Sequence, residues 1–277
     1  MLSQWDCLLK NIGKWEGSFT SFSPTGKELE DTPTMVALET KNDNKTMGQI
    51  IRFNYTDRPA EEKILEYSSL GRGVLFFENG AFSNGSLQWG PFSEFGAELG
   101  LIFGSERLRM AQIFNKERKF DRLTLIRESL AGTDPNFRPP LTPEQLLGTW
   151  RGKAITIYPD LRTPDALDSN LKLTMQGNNK LAQELTFNIG NKSRTISSVA
   201  DINGSILEFN NSDPVRHIIM LPGGASCNIP LEIKPGKPIL LEMGWLISPT
   251  KRQRIIRNYD DKGGWINLTL VEEEKIN

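Results

Sequence analysis

Histidine is almost missing from this chain of 277 residues: there is one, His217. That excludes zinc centres built on two or three imidazoles and leaves at most one histidine-assisted nucleophile. Cysteine is nearly as scarce. Cys7 and Cys227 alone cannot make the disulfide framework of a secreted domain, so a reducing compartment is expected. A surplus of one charge is lacking too, with 33 Lys plus Arg against 34 Asp plus Glu and a formal charge of -1. Binding a phosphate backbone calls for a basic excess, so no nucleic-acid partner is expected. No apolar run approaches the ~20 residues that span a bilayer, and the opening MLSQWDCLLKNIGKW lacks the basic, apolar and cleavage segments of a signal peptide. A cytoplasmic location without a membrane anchor is expected.

What is present is a repeat. Gly13-Lys14-Trp15-Glu16-Gly17 follows one short apolar segment, and Gly148-Thr149-Trp150-Arg151-Gly152 follows another. Residues 107–128 lie over 252–273 at a fixed offset of 145, which matches Arg107 with Arg252, Arg109 with Arg254 and Leu123-Thr124-Leu125 with Leu268-Thr269-Leu270. Between these landmarks, at an offset of 144, Asn84 meets Asn228 and Glu98 meets Glu242. Three landmarks in the same order indicate a duplication. The stretch 131–140, rich in Gly, Pro and Asp, reads as the linker, which predicts domains at 1–138 and 139–277. Basic and acidic residues number 17 and 19 in the first and 16 and 15 in the second, so neither half is a basic module.

Each half opens on a short helical signal. Trp5, Leu8, Leu9 and Ile12 recur at helical spacing, while Thr142-Pro143 supplies a cap and a first helical residue. Short strand candidates bounded by turn residues then follow, eight to ten per half, including 63–68, 73–78, 80–83, 86–89 and 96–103 in the first. With no long helix and a meander-like order, the fold class is all-β, with two antiparallel barrels in tandem.

The short helix leading into Gly13-x-Trp15, and again into Gly148-x-Trp150, with Arg109 or Arg254 on a late strand, resembles the calycin superfamily of lipocalins and fatty-acid-binding proteins. The run 66–83, continued through Trp89-Gly90-Pro91-Phe92-Ser93-Glu94-Phe95-Gly96-Ala97-Glu98, is more specific. Together with Trp15-Glu16-Gly17-Ser18-Phe19 it looks like a mainly cyanobacterial family of lipocalin-like proteins. The resemblance implies two tandem calycin/lipocalin-like barrels, each preceded by a short helix. It also implies Trp15 and Trp150 as barrel-base plugs covered by Arg109 and Arg254. Phycobilin lyases belong to the same superfamily, which brings in bilin handling and a phycobiliprotein partner. No lyase active-site set can be matched residue by residue.

Candidate binding residues concentrate in the Gly- and Phe-rich segment 71–103. Phe76, Trp89 and Phe95 offer flat apolar walls, either for a planar ligand or for a packed core. Arg72, between Gly71 and Gly73, suits a carboxylate such as a propionate, or is a solvated turn residue. Glu78 in this segment is a further candidate binding residue; the matched pair Glu98 and Glu242 suits pyrrole N–H groups, or on the plainer reading forms an ion pair with a nearby arginine such as Arg109 or Arg254. Cys7, Cys227 and His217 stand in no activated arrangement and read as core or strand residues. No metal and no required cofactor are expected.

Three functions fit these residues. The first is a binding protein for a small apolar ligand, with a non-covalent bilin or related tetrapyrrole as the candidate. The second is a bilin lyase or chromophore chaperone acting on phycobiliproteins. The third is a non-catalytic assembly or interaction protein with packed barrels. Whether the chain is an enzyme, and its oligomeric state, are left open.

Overall fold

The computed structural model describes residues 2–136, 138–189 and 192–276. Phe137, within the predicted linker, lies outside them. The fold begins with a capping box: the Ser3 hydroxyl accepts from the Asp6 N–H, and the Asp6 carboxylate accepts from the Ser3 N–H. That satisfies the first orphan donors of helix α1 (Gln4–Leu8). Nine strands follow: β1 (Gly13–Phe22), β2 (Glu28–Lys41), β3 (Thr46–Phe53), β4 (Glu61–Tyr67), β5 (Val74–Phe76), β6 (Phe82–Gly85), β7 (Phe95–Phe103), β8 (Glu106–Phe114) and β9 (Phe120–Leu130). A single helical turn, α2 (Pro143–Leu146), then opens the second unit.

Ten strands make up the second unit. They are β10 (Gly148–Ile157), β11 (Asp165–Gln176), β12 (Lys180–Ile189), β13 (Lys192–Asn203), β14 (Ile206–Phe209), β15 (Arg216–Met220), β16 (Ala225–Pro230), β17 (Ile239–Ser248), β18 (Lys251–Tyr259) and β19 (Trp265–Lys275). Alternation fixes their faces: in β11, Ser169, Leu171 and Leu173 are buried while Asn170, Lys172 and Thr174 are exposed. The ten strands pair in chain order, and β19 returns to β10 to close the barrel.

The first unit does not close. Its strand order is β4-β3-β2-β1-β9-β8-β7-β6-β5, with every neighbouring pair antiparallel. An odd number of antiparallel strands leaves the two edges, β4 and β5, running in the same direction. Parallel neighbours need a crossover of about a dozen residues, and only residues 68–73 join these two. The sheet therefore curls into an open cup. This corrects the expected pair of closed calycin/lipocalin-like barrels: one unit is a closed barrel and the other is not.

The strand expected at 86–89 is not a strand of this sheet. Gln88 bridges to Gly264, and the Trp89 N–H donates to the Gly263 carbonyl, so this segment pairs with the second unit instead of extending the first sheet.

The outer faces of the two sheets are buried against each other. Leu99 and Leu101 of β7 share one core with their repeats Met243 and Trp245 of β17. Polar contacts cross in matched fashion. Gln112 Nε2 donates to the Glu242 carbonyl at 2.9 Å, and its repeat Arg257 donates to the Gly73 carbonyl, the Ser83 hydroxyl and the Ser86 carbonyl. In the linker, Arg138 forks onto the Glu106 carboxylate with two 2.7 Å bonds and donates to the Ile247 carbonyl, tying both units together.

Candidate functional site

Strand alternation puts Arg107 and Arg109 of β8 on the concave face of the first sheet, beside Glu128 of β9 and Glu98 of β7. Glu128 accepts from Arg107 Nε at 2.7 Å and from Arg109 Nε and Nη2 at 2.9 and 2.8 Å. Arg109 Nη1 reaches Glu98 at 2.6 Å. Burial by itself would raise the Glu128 carboxyl, but the guanidinium groups of Arg109 and Arg107 outweigh it and hold the group at about 2. Burial likewise acts to lower Arg109, and Glu128 with Glu98 reverses the sign. For Arg107 burial prevails and the shift is downward.

Beneath this cluster sits Trp15. Its indole N–H donates to the Asn11 carbonyl at 2.9 Å, and the Arg107 guanidinium lies 4.4 Å from its ring centre. The second unit repeats the arrangement. Trp150 donates to the Leu146 carbonyl, Arg252 lies over its ring at 5.0 Å, and Glu273 accepts from Arg252 and Arg254. The guanidinium over each tryptophan is therefore the first of its pair, not Arg109 or Arg254 as expected. Both members share one strand face; across β9, Arg107 is level with Gly17, two residues from Trp15, whereas Arg109 is level with Phe19 and lies over that ring.

The units differ above the cluster. In the first, a cavity of about 380 Å³ runs from Arg107 and Arg109 to the seam between β4 and β5, where Leu65, Tyr67, Leu70 and Val74 line it. Among the described residues, Nη2 of Arg107 and Oδ1 of Asn11 are buried in its wall without a hydrogen-bond partner. Glu98 is 28% exposed there. Its repeat Glu242, which also accepts from Asn228 Nδ2, is 10% exposed in the closed barrel.

Of the expected binding residues, the structure brings Phe76, Glu98 and Arg109 together in this cavity. Glu242 and Arg254 form the equivalent pair inside the barrel. Phe95 is in the core between the units, 4.8 Å from the Tyr259 ring, and Trp89 packs against that core. Arg72 and Glu78 are exposed, and Glu78 accepts from the Leu2 N–H. Arg107, Glu128 and Asn11 were not singled out as site residues. Arg107 and Glu128 stand at the two ends of the block repeated at an offset of 145, which was the available signal.

Neither thiol is activated. Both are buried, and burial raises each of them, with Glu242 adding to the effect on Cys227 and Glu78 on Cys7. His217 is half-buried and shifted down by burial. Among the described residues no side-chain cluster is suited to a metal ion, and no helix is long and apolar enough to cross a membrane.

A structure from Nostoc punctiforme, described as a protein of unknown function from the DUF3598 family, is 46% identical to this chain over the whole of both, with a TM-score of 0.94. The chain belongs to the DUF3598 family. Its residues 1–133 match the family model described as the N-terminal domain of unknown function DUF3598. Residues 137–276 match the model for the C-terminal domain of biogenesis factor required for ATP synthase 1. The S-type phycobiliprotein lyase CPES of Guillardia theta is 13% identical, with 49% of this chain and 90% of that one covered and a TM-score of 0.41. No curated protein matches the chain.

Proposed function

We propose that this DUF3598 protein is an assembly or interaction protein that acts by holding another polypeptide. The observation that carries this reading is the open first unit. The β4 edge and a cavity stand free at one seam, where the Gln4 side chain holds the Phe76 N–H and C=O of β5, whereas the duplicated unit beside it is closed. The unactivated thiols and the half-buried histidine also fit a role in holding more readily than one in nucleophilic chemistry. The family model over residues 137–276 is named for a factor in the biogenesis of ATP synthase, so ATP synthase subunits are the first partners to test. Purified chain mixed with separately purified subunits is expected to give a stable complex with at least one of them on size exclusion. Failure with every subunit, alone and in partial assemblies, overturns this choice of partner.

A second reading keeps the small ligand. The cavity lies within the roughly 300 to 1,000 Å³ range of ligand sites, and the free Nη2 of Arg107 suits an acidic head group such as a bilin propionate. Pigment carried through purification from bilin-producing cells supports it. A colourless protein that binds no added bilin removes it.

A further inference from the structure

Counting strands across the duplication shows what the open seam lacks. From the late end, β19, β18, β17, β16 and β15 repeat β9, β8, β7, β6 and β5; from the early end, β10 to β13 repeat β1 to β4. Among the described residues, one strand of the barrel, β14 (Ile206–Phe209), has no counterpart in the first unit. In the barrel it lies antiparallel to both β13 and β15. Its place in the first unit is the gap between β4 and β5. Because those two edges run in the same direction, a single strand antiparallel to both converts nine strands into the ten that close.

We infer that the seam between β4 and β5 is a strand-accepting site, and that its occupant is a short extended segment of a partner polypeptide, added antiparallel to β4. This rests on the reading of the protein as one that holds polypeptides. The outward main-chain groups of β4 supply the hydrogen bonds; on β5 the Phe76 N–H and C=O are held by the Gln4 side chain of α1, which the entering strand displaces, and the pockets behind supply the selection. The barrel displays the required pattern: Leu207 and Phe209, two residues apart, enter the apolar interior, while Glu208 between them pairs with the exposed Asn203 side chain. The corresponding interior of the first unit is the cavity walled by Leu65, Leu70 and Val74 at the seam. A partner segment with apolar residues at alternate positions therefore fits. The outer side of β4 is prepared for cover as well, since Ile64 is 70% exposed there.

The test uses the full chain and two ways of supplying the strand. The first is a synthetic peptide copying residues 204–211, added in trans. At about ten times its Kd it is expected to slow exchange of the seam-facing amides of β4 about tenfold, and the same peptide with Leu207→Lys and Phe209→Lys has no effect. In the second, residues 68–73 are replaced by a copy of 204–215, the connection that carries β14 in the barrel. That chain is expected to exchange slowly at β4 without any peptide. Exchange at β4 unchanged by millimolar peptide and by the graft overturns the inference. Subunits that bind the native and grafted chains equally leave the partner reading standing and remove the seam from it. Protection by the peptide with no subunit bound does the reverse.

Discussion

Arg107 Nε donates to Glu128 across 2.7 Å in the open sheet, and Arg252 Nε donates to Glu273 across the same distance in the closed barrel. The two ion clusters are copies placed in different surroundings. Removing the acid from either leaves two buried guanidinium groups without their shared acceptor, at a cost of about 3 to 5 kcal/mol. Glu128→Ala and Glu273→Ala should each lower the denaturant midpoint accordingly. Replacing a whole cluster by apolar residues of similar volume should cost less than removing its acid alone.

Acid stability follows from the same groups. Glu128 titrates at about 2 in the fold against an ordinary 4.5, so its folded value is depressed. The stabilisation is then complete above about pH 4.5 and disappears as the pH falls through about 2; a shift of this size is on the order of 3 kcal/mol. Glu273 is shifted in the same direction by Arg252 and Arg254 against its burial. Melting curves should therefore show stability falling steeply from pH 4.5 downward, and Glu128→Gln should flatten that slope.

Trp15 and Trp150 fill the bases of their units, each buried and each covered by an arginine. Truncation to Ala should cost about 3 to 5 kcal/mol by chemical denaturation, the range for large buried aromatics. A loss below about 1 kcal/mol would sit within ordinary mutational scatter and remove the plug role.

The two units should unfold as one. Their shared core contains Leu99, Leu101, Met243 and Trp245, and Arg257 spends its guanidinium on three acceptors in the first unit. Calorimetry should give a single transition for the full chain. Arg257→Ala strands buried acceptors and should cost about 2 to 4 kcal/mol. Either half expressed alone should bind a hydrophobic dye or associate, because that face is exposed. Two separate transitions in the intact chain would contradict this.

Much of the architecture can be read from the repeat. The offset of 145 places Arg109 with Arg254, and the offset of 144 places Glu98 with Glu242, and these prove to be partners in space. The open sheet could not be read in this way. The segment 86–89 has strand-like composition, and counting it makes both halves even, whereas the Trp89 N–H and the Leu87 carbonyl bond to Gly263 and Trp265 of the other unit. Local pattern records that a segment is extended and says nothing of which sheet receives it. The level of Arg107 over Trp15 was hidden for a related reason: residues two apart on a strand share a face, and only cross-strand register separates them.

The central claim is that the first unit lacks one strand, and residue-resolved hydrogen exchange on the free protein tests it most directly. Alternate amides of β4 (Glu61–Tyr67) point into the seam and should exchange close to the open-chain rate, while those of β14 (Ile206–Phe209), paired on both sides, should be strongly protected. Uniformly slow exchange across β4 in the free chain would mean that the seam is already closed, and would contradict the account.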